Sequence, residues 1–319
     1  MKSAAKRSAT LATPGTDGFR DDLLHGLRAK PKSIPCKYLY DEAGARLFDQ
    51  ICALPEYYPA RVETALLRAH AKDIAALAGA GAEIMEFGAA CGEKIRILLD
   101  ALDHPLAYIP VDISQAWLAT AIERLTTAYP ALAIYPLIGD FDAPLGWPTH
   151  SHGRRIAFFP GSTIGNFTPV EARQFLRRLA GALRGGALLI GVDLVKDPAI
   201  LHAAYNDAAG VTGAFNSNLL ERANRELDAD FNVAAFAHYA FYNALEHRIE
   251  MHLVSRQAQT AVVSGHAIGF AEGEAIITEY SCKYTVDEFQ ELAASAGFRA
   301  RQVWCDPQRL FSVHWLDAG

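Results

Sequence analysis

The sequence predicts an α/β fold with an open, mostly parallel sheet and a second, α+β lobe. The first observation is that short apolar runs alternate with helical segments between Glu83 and Leu194. Strands separated by helices form βαβ units, in which the strands run parallel. The second observation is that this alternation stops between Lys196 and Ile276, and that residues before about Arg61 do not join it. We therefore expect the N-terminus and an insertion to build the second lobe.

Five short apolar runs make up the predicted parallel sheet, and most of them end at a glycine or an aspartate. The runs are Glu83–Phe87, Tyr108–Val111, Ala133–Ile138, Ile156–Phe159 and Ala187–Val192. Helical segments follow three of them, at Glu93–Leu102, Ser114–Ala128 and Pro169–Leu183. Near the C-terminus, a helix over Val286–Ala296 and two β-rich runs, Arg301–Cys305 and Leu310–Trp315, predict a closing antiparallel hairpin.

The insertion carries two helical and three β-like segments. The helices are predicted over Pro198–Ala208 and Asn216–Leu227, and the strands of a small antiparallel sheet over Ala237–Asn243, His247–Val254 and Ala261–Gly265. The expected domains are a disordered tail over 1–18, a second lobe over 19–60 and 196–284, and the parallel-sheet domain over 61–195 and 285–319. We expect the second lobe to cover the binding edge of the sheet.

Composition argues against several classes of protein. The formal net charge of −6 offers no basic surface for a nucleic acid. No apolar run approaches the roughly 20 residues of a membrane helix, and the N-terminus lacks the apolar core of a signal peptide. The five scattered cysteines, Cys36, Cys52, Cys91, Cys282 and Cys305, and the eleven histidines show no metal-ligand spacing. We expect a cytoplasmic protein without a metal, a membrane partner or an obligate protein partner.

Three strand ends in a row carry residues that suit a nucleoside. The turn after the first strand has Gly88, but Ala90 stands where a dinucleotide site wants its second glycine, which disfavours NAD. Asp112 ends the next strand, 24 residues after Gly88, where a carboxylate can accept ribose hydroxyls. Asp140-Phe141 follows the third strand and offers a carboxylate and a ring to an adenine. The alternative is that these aspartates cap helices.

Two further features remain ambiguous from the residues alone. Lys94 lies at the start of a helix, where a cation is disfavoured by the helix dipole, so it is either solvated or holds an anionic group of a ligand. The loop Gly161–Asn166 exposes backbone beyond the fourth strand, the place where open parallel sheets bind ligands. Alternatively, Asn166 caps a helix that begins near Pro169.

At several places the motifs resemble one family, the histidine-specific N-alpha-methyltransferases that form hercynine in ergothioneine biosynthesis. The resemblance spans almost the whole chain, from about Lys30 to Tyr284. It is carried by Lys37-Tyr38-Leu39-Tyr40-Asp41, Leu47–Ile51, Leu54–Pro59, Phe158–Phe167, Tyr205-Asn206-Asp207, Phe215-Asn216, Arg248–Met251 and Thr278–Lys283. It implies a Rossmann-like class I methyltransferase domain, S-adenosylmethionine (SAM) as cofactor, L-histidine as small-molecule substrate and a substrate-binding lobe.

The resemblance also implies a role for individual residues. Cofactor binding would fall to Gly88, Lys94, Asp112, Asp140 and Phe141, with Tyr40 near the reactive end as a candidate proton acceptor. The substrate carboxylate would be held by Asn166 and Tyr205, and the amine would lie beside Gly161. The imidazole would be bound by Tyr57, Glu279 and Ser281, with Phe215 and Met251 packed beside it.

The strand Ala275–Tyr284 supports this picture only under one condition. Its alternation places Glu279, Ser281 and Lys283 on one face. On an edge strand this would be an ordinary solvated face, whereas over a closed cleft a carboxylate and a hydroxyl two residues apart could satisfy both nitrogens of an imidazole.

Four rival functions remain at this point. One is a methyltransferase for another amino acid, which Glu279 and Met251 disfavour, and another is an NAD-dependent oxidoreductase. The third is a nucleic-acid methyltransferase, disfavoured because Phe167-Thr168 follows Asn166 in place of a Pro-Pro-aromatic loop. The fourth is a protein that binds SAM without catalysis.

Overall fold

A computed structural model describes residues 9–10, 16–89, 92–140, 147 and 153–319 of the 319-residue chain. Most of the tail expected to be disordered, together with Ala90, Cys91 and Phe141, lies outside these residues. Within that tail, Ala9–Thr10 forms a short strand and a helix begins at Thr16, which the expectation did not include. No helix in the described part of the chain is long and apolar enough to cross a membrane.

The helices and strands are given in chain order. The helices are α1 Thr16–Arg28, α2 Glu42–Ala53, α3 Tyr58–Ala78, α4 Glu93–Ala101, α5 Gln115–Ala128, α6 Pro169–Leu183, α7 Pro198–Tyr205, α8 Val211–Glu226 and α9 Val286–Ser295. The strands are β1 Ala9–Thr10, β2 Lys32–Ser33, β3 Glu83–Phe87, β4 Ala107–Asp112, β5 Ala133–Ile134, β6 Leu137–Ile138, β7 Arg155–Phe159, β8 Ala187–Asp193, β9 Phe236–Asn243, β10 Arg248–Ser255, β11 Gln259–Val263, β12 His266–Phe270, β13 Ala275–Cys282, β14 Phe298–Cys305 and β15 Phe311–Ala318.

The chain divides into two compact units. The first unit consists of Met1–Thr13, Arg61–Leu194 and Tyr284–Gly319, and the second of Pro14–Ala60 and Val195–Lys283. Each unit has a sheet of its own.

The first unit is built on a mostly parallel sheet with the strand order β1-β6-β4-β3-β7-β8-β15-β14. In this spatial order, neighbouring strands from β1 through β6, β4, β3 and β7 to β8 run parallel. The last two strands, β15 and β14, close the sheet in antiparallel pairing. Every residue of β3, β4 and β8 is buried, as expected for strands covered on both faces. The predicted α/β class, parallel sheet and closing hairpin are confirmed.

One predicted strand of this sheet is wrong in detail. The run Ala133–Ile138 forms two short strands, β5 and β6, and both of them pair with β4. They are separated by Tyr135 and Pro136. Proline has no backbone N–H to donate to a neighbouring strand, so the ladder is interrupted there.

The second unit contains a four-stranded sheet in the order β2-β13-β10-β9, and the separate hairpin β11-β12. The sequence placed Ala261–Gly265 in the same sheet as β9 and β10, which is wrong. Ser264 and Gly265 both have positive φ, 46° and 79°, so the chain turns tightly and β11 pairs with β12. The place beside β10 is taken by β13 instead.

The helical part of the insertion also differs from the prediction. The segment predicted over Pro198–Ala208 ends at Tyr205, and α8 begins at Val211 rather than at Asn216. The carboxylate of Asp207 accepts hydrogen bonds from the backbone N–H groups of Val211 and Thr212, both at 2.8 Å. The first N–H groups of a helix have no partner within that helix, and Asp207 supplies one for these two. The bonds therefore mark the start of a new helix at Val211.

Candidate functional site

The acidic strand ends of the first unit lie on neighbouring strands. Asp112 ends β4, is 8% exposed and accepts the backbone N–H of Ser114 at 2.8 Å. Burial raises its pKa to about 6. Asp140 follows β6, and Gly139 donates its N–H to the carbonyl of Asp112 at 3.0 Å, so the two aspartates belong to adjacent strand ends. Phe141, the predicted adenine partner, lies outside the described residues.

The glycine turn after β3 is described at both of its ends. Gly88 has φ of 76° and donates its N–H to the carbonyl of Val111 at 2.9 Å, and Gly92, with φ of 63°, precedes α4. Both conformations are left-handed, which glycine adopts without strain. These two glycines therefore leave bare backbone directly after β3 and directly before α4.

Glu86 is a buried carboxyl that sequence reasoning did not assign. It receives a short hydrogen bond from the hydroxyl of Tyr108, and burial raises its pKa to about 8. The charges of Lys94, Asp112 and Glu63 also affect this pKa, which places Glu86 in the same cluster. Its position inside an apolar run suggested a strand rather than a site, and an acidic residue two positions before Gly88 was the available signal.

Lys94 is not merely a solvated residue at a helix start. Its Nζ lies 2.5 Å from Oε2 of Glu63, which is fully buried in α3. The two carboxylate oxygens of Glu63 also accept the backbone N–H of Gly161, at 3.0 and 2.8 Å. Glu63 therefore links α4 to the loop after β7. No local sequence pattern pointed to it, because its partners are far away in the chain.

The Gly161–Asn166 loop is fixed by its own contacts. Gly161 has φ of 79° and Ser162 has φ of 55°, and the Ser162 hydroxyl accepts the backbone N–H of Asp193 at 2.9 Å. Thr168, not Asn166, caps α6 through a capping box with Glu171. The capping interpretation of Asn166 is therefore wrong, and Asn166 is the last residue of the 3-10 turn Thr163–Asn166.

In the second unit, β13 is an interior strand between β2 and β10. Glu279 is opposite Met251 and Ser281 is opposite Ile249, so these four side chains share one face. Glu279 is 9% exposed, Ser281 5% and Lys283 2%. The alternative of a solvated edge strand is therefore excluded.

Glu279 is a buried carboxyl that lacks part of its hydrogen bonding. Its Oε2 has no hydrogen-bond partner among the described residues. Burial raises its pKa to about 7, and the nearby positive charge of Lys283 opposes this rise. A buried polar atom without a partner is costly, so this oxygen fits a hydrogen-bond donor of a ligand.

Two hydroxyls and an ammonium lie next to this carboxyl. Tyr205, at the end of α7, donates its hydroxyl to Ser281 Oγ at 2.7 Å. Lys283 Nζ donates to the same Oγ at 2.7 Å and to Tyr205 Oη at 3.1 Å. Lys283 lies in the matched motif, but no role was predicted for it from the sequence.

Aromatic rings complete the second cluster. Tyr40 packs edge-to-face on Phe215, with ring centroids 5.4 Å apart, and Tyr57 packs in the same way on Tyr205 at 6.2 Å. Phe48 touches Tyr40, Tyr57 and Phe215 and was missed in the sequence, where it resembles any core residue of an amphipathic helix. Desolvation, and after it the charge of Glu279, raises the pKa of Tyr40 well above its usual value; Tyr57 is raised likewise, mainly by desolvation.

The predicted site residues thus fall into two sets. The first unit carries Gly88, Lys94, Asp112, Asp140, Gly161 and Asn166. The second unit carries Tyr40, Tyr57, Tyr205, Phe215, Met251, Glu279 and Ser281. Among the described residues, no group of His, Cys, Asp and Glu has the arrangement of a metal site.

A parallel sheet with a glycine turn after one strand and acidic residues after the next two defines a Rossmann-like domain of the kind that binds nucleoside-containing cofactors. Residues 19–318 match the family model described as "Histidine-specific methyltransferase, SAM-dependent". The chain belongs to this family of SAM-dependent enzymes, as its motifs predicted.

Several named proteins are similar in sequence to this chain over most of its length. A histidine N-alpha-methyltransferase of Mycolicibacterium smegmatis is 45% identical over 95% of this chain and 95% of its own. A protein of the same name from Mycobacterium tuberculosis is 42% identical over 90% of this chain and 91% of its own. Ergothioneine biosynthesis protein 1 of Neurospora crassa is 30% identical over 86% of this chain, which corresponds to 32% of that protein.

Proposed function

We propose that this enzyme transfers three methyl groups from SAM to the α-amino nitrogen of L-histidine and so forms hercynine, the first step of ergothioneine biosynthesis. The observation that carries the proposal is the buried Glu279 carboxyl, whose Oε2 has no partner among the described residues. An imidazole N–H would supply that partner. The names of the relatives, histidine N-alpha-methyltransferase and ergothioneine biosynthesis protein, support the same substrate and pathway.

The first unit would bind the cofactor. Asp112 would accept the ribose hydroxyls, Asp140 and Phe141 would bind the adenine, and Lys94 would pair with the carboxylate of the methionine end. Gly88 fits this role because a glycine adopts its left-handed conformation without strain and has no side chain that would keep a ligand away from the backbone. When bound, SAM supplies an electrophilic methyl group on a sulfonium.

The substrate side chain would be bound by the second unit. Glu279 would accept the imidazole N–H and Ser281 would satisfy the other ring nitrogen, with Tyr57 as a further polar contact. The ring of Phe215 and the side chain of Met251, both buried, would cover the faces of the imidazole. The substrate carboxylate would be held by the Asn166 carboxamide and the Tyr205 hydroxyl.

The reacting amine must be neutral, and it does not need a strong base. A free α-amino group has a pKa of about 8, so a useful fraction is unprotonated near neutral pH. The raised pKa of Tyr40 means that its hydroxyl stays protonated, so we assign it the task of accepting a hydrogen bond from the amine and orienting it. Gly161, without a side chain, would leave the amine room to rotate between transfers.

Of the rival functions, the NAD-dependent oxidoreductase is not supported by the family of the chain. A methyltransferase for another amino acid remains the alternative to test. Methyl transfer from SAM follows from the family, whereas the identity of the substrate side chain rests on the proposed pocket. We also infer that the enzyme works in the cytoplasm, with L-histidine as its partner and neither a nucleic acid nor a membrane. Among the described residues, Cys36, Cys52, Cys282 and Cys305 form no disulfide, which is consistent with a reducing compartment.

The test is a mass-spectrometric methylation assay with the purified protein, SAM and each of the twenty amino acids separately. Histidine should gain three methyl groups, with little turnover elsewhere, and Glu279→Gln should lose most of this turnover. Glu246→Gln, a change of an exposed carboxylate in the same unit, should not. Turnover of a different amino acid in place of histidine would overturn the substrate assignment.

A further inference from the structure

Tyr40 lies between two short elements and belongs to neither of them. The 3-10 turn Cys36–Leu39 ends directly before it, and Asp41, directly after it, is the N-cap of α2. The backbone N–H of Tyr40 reaches the carbonyl of Lys37 only at 3.5 Å, which is long for a hydrogen bond. Because helical hydrogen bonds hold its backbone so weakly, the position of Tyr40 depends on how the residues around it are fixed.

Asp41 makes more hydrogen bonds than an N-cap needs. Its Oδ1 accepts the backbone N–H of Gly44 at 2.8 Å, which is the ordinary capping bond. The same oxygen accepts the carboxamide N–H of Asn218 at 2.7 Å, and Oδ2 pairs with the guanidinium of Arg225. The last two partners belong to α8, 177 and 184 positions further along the chain, and they fasten Asp41 to that helix.

One side of α8 contacts the whole segment around Tyr40. The contacting residues are three or four positions apart and so line one face of the helix: Phe215, Asn218, Arg222 and Arg225. Arg222 donates to the backbone carbonyl of Tyr38 at 2.9 Å, and the ring of Phe215 packs against the ring of Tyr40 with centroids 5.4 Å apart. The segment is therefore held two residues before Tyr40, at its ring, and directly after it.

The first turn of α2 lies close against the same segment. A Cβ atom at Gly44 would lie 1.7 Å from the carbonyl oxygen of Leu39, so this approach requires a residue without a side chain. The chain from Leu39 to Gly44 is thus folded tightly on itself. A displacement of Asp41 within so tight a turn also displaces Tyr40.

We infer that Asp41 is a positioning residue, which anchors the backbone beside Tyr40 to α8 and thereby fixes the direction of the Tyr40 phenol. Loss of the two bonds to α8 would let this side chain take up more than one orientation against Phe48 and Phe215. The inference deepens the proposed function and rests on it, because that function gives the Tyr40 hydroxyl the task of orienting the reacting amine.

Asp41→Ser separates this role from capping. Serine is as good an N-cap as aspartate, and its hydroxyl still accepts the N–H of Gly44, but it has neither a second oxygen nor a charge for Arg225. The matched control is Glu42→Gln, a change of the adjacent carboxylate. Glu42 is exposed and pairs with Arg46 inside α2, so its loss leaves the bonds to α8 in place.

The orientation of Tyr40 is followed by NMR in protein whose tyrosines carry ¹³C at Cζ. This carbon lies on the axis of the ring, so ring flips do not split its signal, and the Tyr40 signal is identified by its absence in Tyr40→Phe. The spectra are recorded without substrate. We expect the signal to broaden or split in Asp41→Ser and to stay as it is in Glu42→Gln. An unchanged signal in Asp41→Ser would overturn the inference and leave the proposed function standing.

A double-mutant cycle then connects this orientation with the reaction. With SAM and histidine at saturation, Asp41→Ser should lower kcat about fivefold, the effect of one misplaced hydrogen bond. In the Tyr40→Phe enzyme the same change should lower kcat by less than about twofold, because no hydroxyl is left to orient. A merely structural role of Asp41 gives equal losses in both enzymes, and that result would overturn the inference.

Failure of the unmodified enzyme to methylate histidine would overturn the proposed function instead, and the NMR signal would still decide whether Asp41 fixes Tyr40. Folding of each variant is checked by circular dichroism and by binding of S-adenosylhomocysteine. If Asp41→Ser does not fold, Arg225→Gln replaces it, since this side chain is half exposed and its loss removes only one of the two links. It should lower kcat about twofold, and only when Tyr40 is present. An unchanged kcat in that variant would count against the inference in the same way.

Discussion

Glu63 and Lys94 are 31 positions apart in the chain, yet Glu63 Oε2 lies 2.5 Å from Lys94 Nζ. The same carboxylate accepts the backbone N–H of Gly161. One buried side chain therefore sets both the direction of the cation proposed to hold the methionine end of SAM and the conformation of the loop after β7.

We predict that Glu63→Gln weakens binding of S-adenosylhomocysteine about tenfold, or about 1.4 kcal/mol, in a calorimetric titration. The amide cannot balance the charge of Lys94, and only one of its two polar atoms can accept the N–H of Gly161. Because Lys94 is partly exposed, we also expect a loss of about 2 kcal/mol in the free energy of unfolding, below the value for a fully buried pair.

The matched control is Glu93→Gln. Glu93 pairs with Arg68 across the same two helices, but both side chains are more than half exposed, so the pair contributes little. Equal losses of affinity in the two variants would mean that Glu63 has no special role in cofactor binding.

Cofactor affinity should depend on the ionisation of Asp112. Burial raises its pKa to about 6, and only the ionised carboxylate can accept two ribose hydroxyls without donating. As the pH falls from 7 to 5, the carboxylate takes up a proton, and the affinity for S-adenosylhomocysteine should drop about tenfold. Asp112→Asn should bind weakly at both values, without this drop. An affinity of the unmodified enzyme that is flat between pH 5 and 7 would contradict the assignment.

Glu279→Gln should make the substrate-free protein more stable at alkaline pH while it impairs catalysis. The pKa of Glu279 rises from an ordinary 4.5 to about 7, so the folded state holds this proton more tightly than the unfolded state. Stability is therefore lost as the pH rises from 4.5 to 7, and the cost is complete above pH 7, at up to about 3 kcal/mol.

Thermal unfolding at pH 8 and at pH 5 checks this linkage. Glu279→Gln should have the higher Tm at pH 8 and lose most of this advantage at pH 5, because the native carboxyl is already neutral there. Glu246→Gln serves as the exposed control and should change neither Tm. A gain in Tm of the same size at both pH values would show that ionisation is not the cause.

Tyr40→Phe should lower kcat by less than about tenfold and keep the shape of the pH profile. The raised pKa of Tyr40 makes it a protonated phenol at the working pH, so its removal costs a hydrogen bond and not a base. The acid limb of kcat/KM should persist, because it comes from the α-amino group itself. Tyr38→Phe, whose hydroxyl bonds to Asp22 instead, is the control. Loss of the acid limb in Tyr40→Phe alone would identify Tyr40 as the proton acceptor.

The local pattern of the sequence was sufficient for the sheet of the first unit. The runs that became β3, β4, β7 and β8 are short, apolar and separated by helices, and this arrangement is a local property of the chain. The same holds for the shared face of Glu279, Ser281 and Lys283, since side chains of a strand alternate with a period of two.

What the sequence by itself determined is therefore the class of fold, the family and the order of polar residues along each strand. Whether those residues matter was decided by tertiary structure: Tyr205, from a distant segment of the chain, contacts Ser281 and Lys283, and the polar row with Glu279 is buried. Glu63 and Phe48 entered their clusters in the same way, through partners from other segments. Burial and pairing of this kind depend on contacts between distant parts of the chain, which no local pattern records.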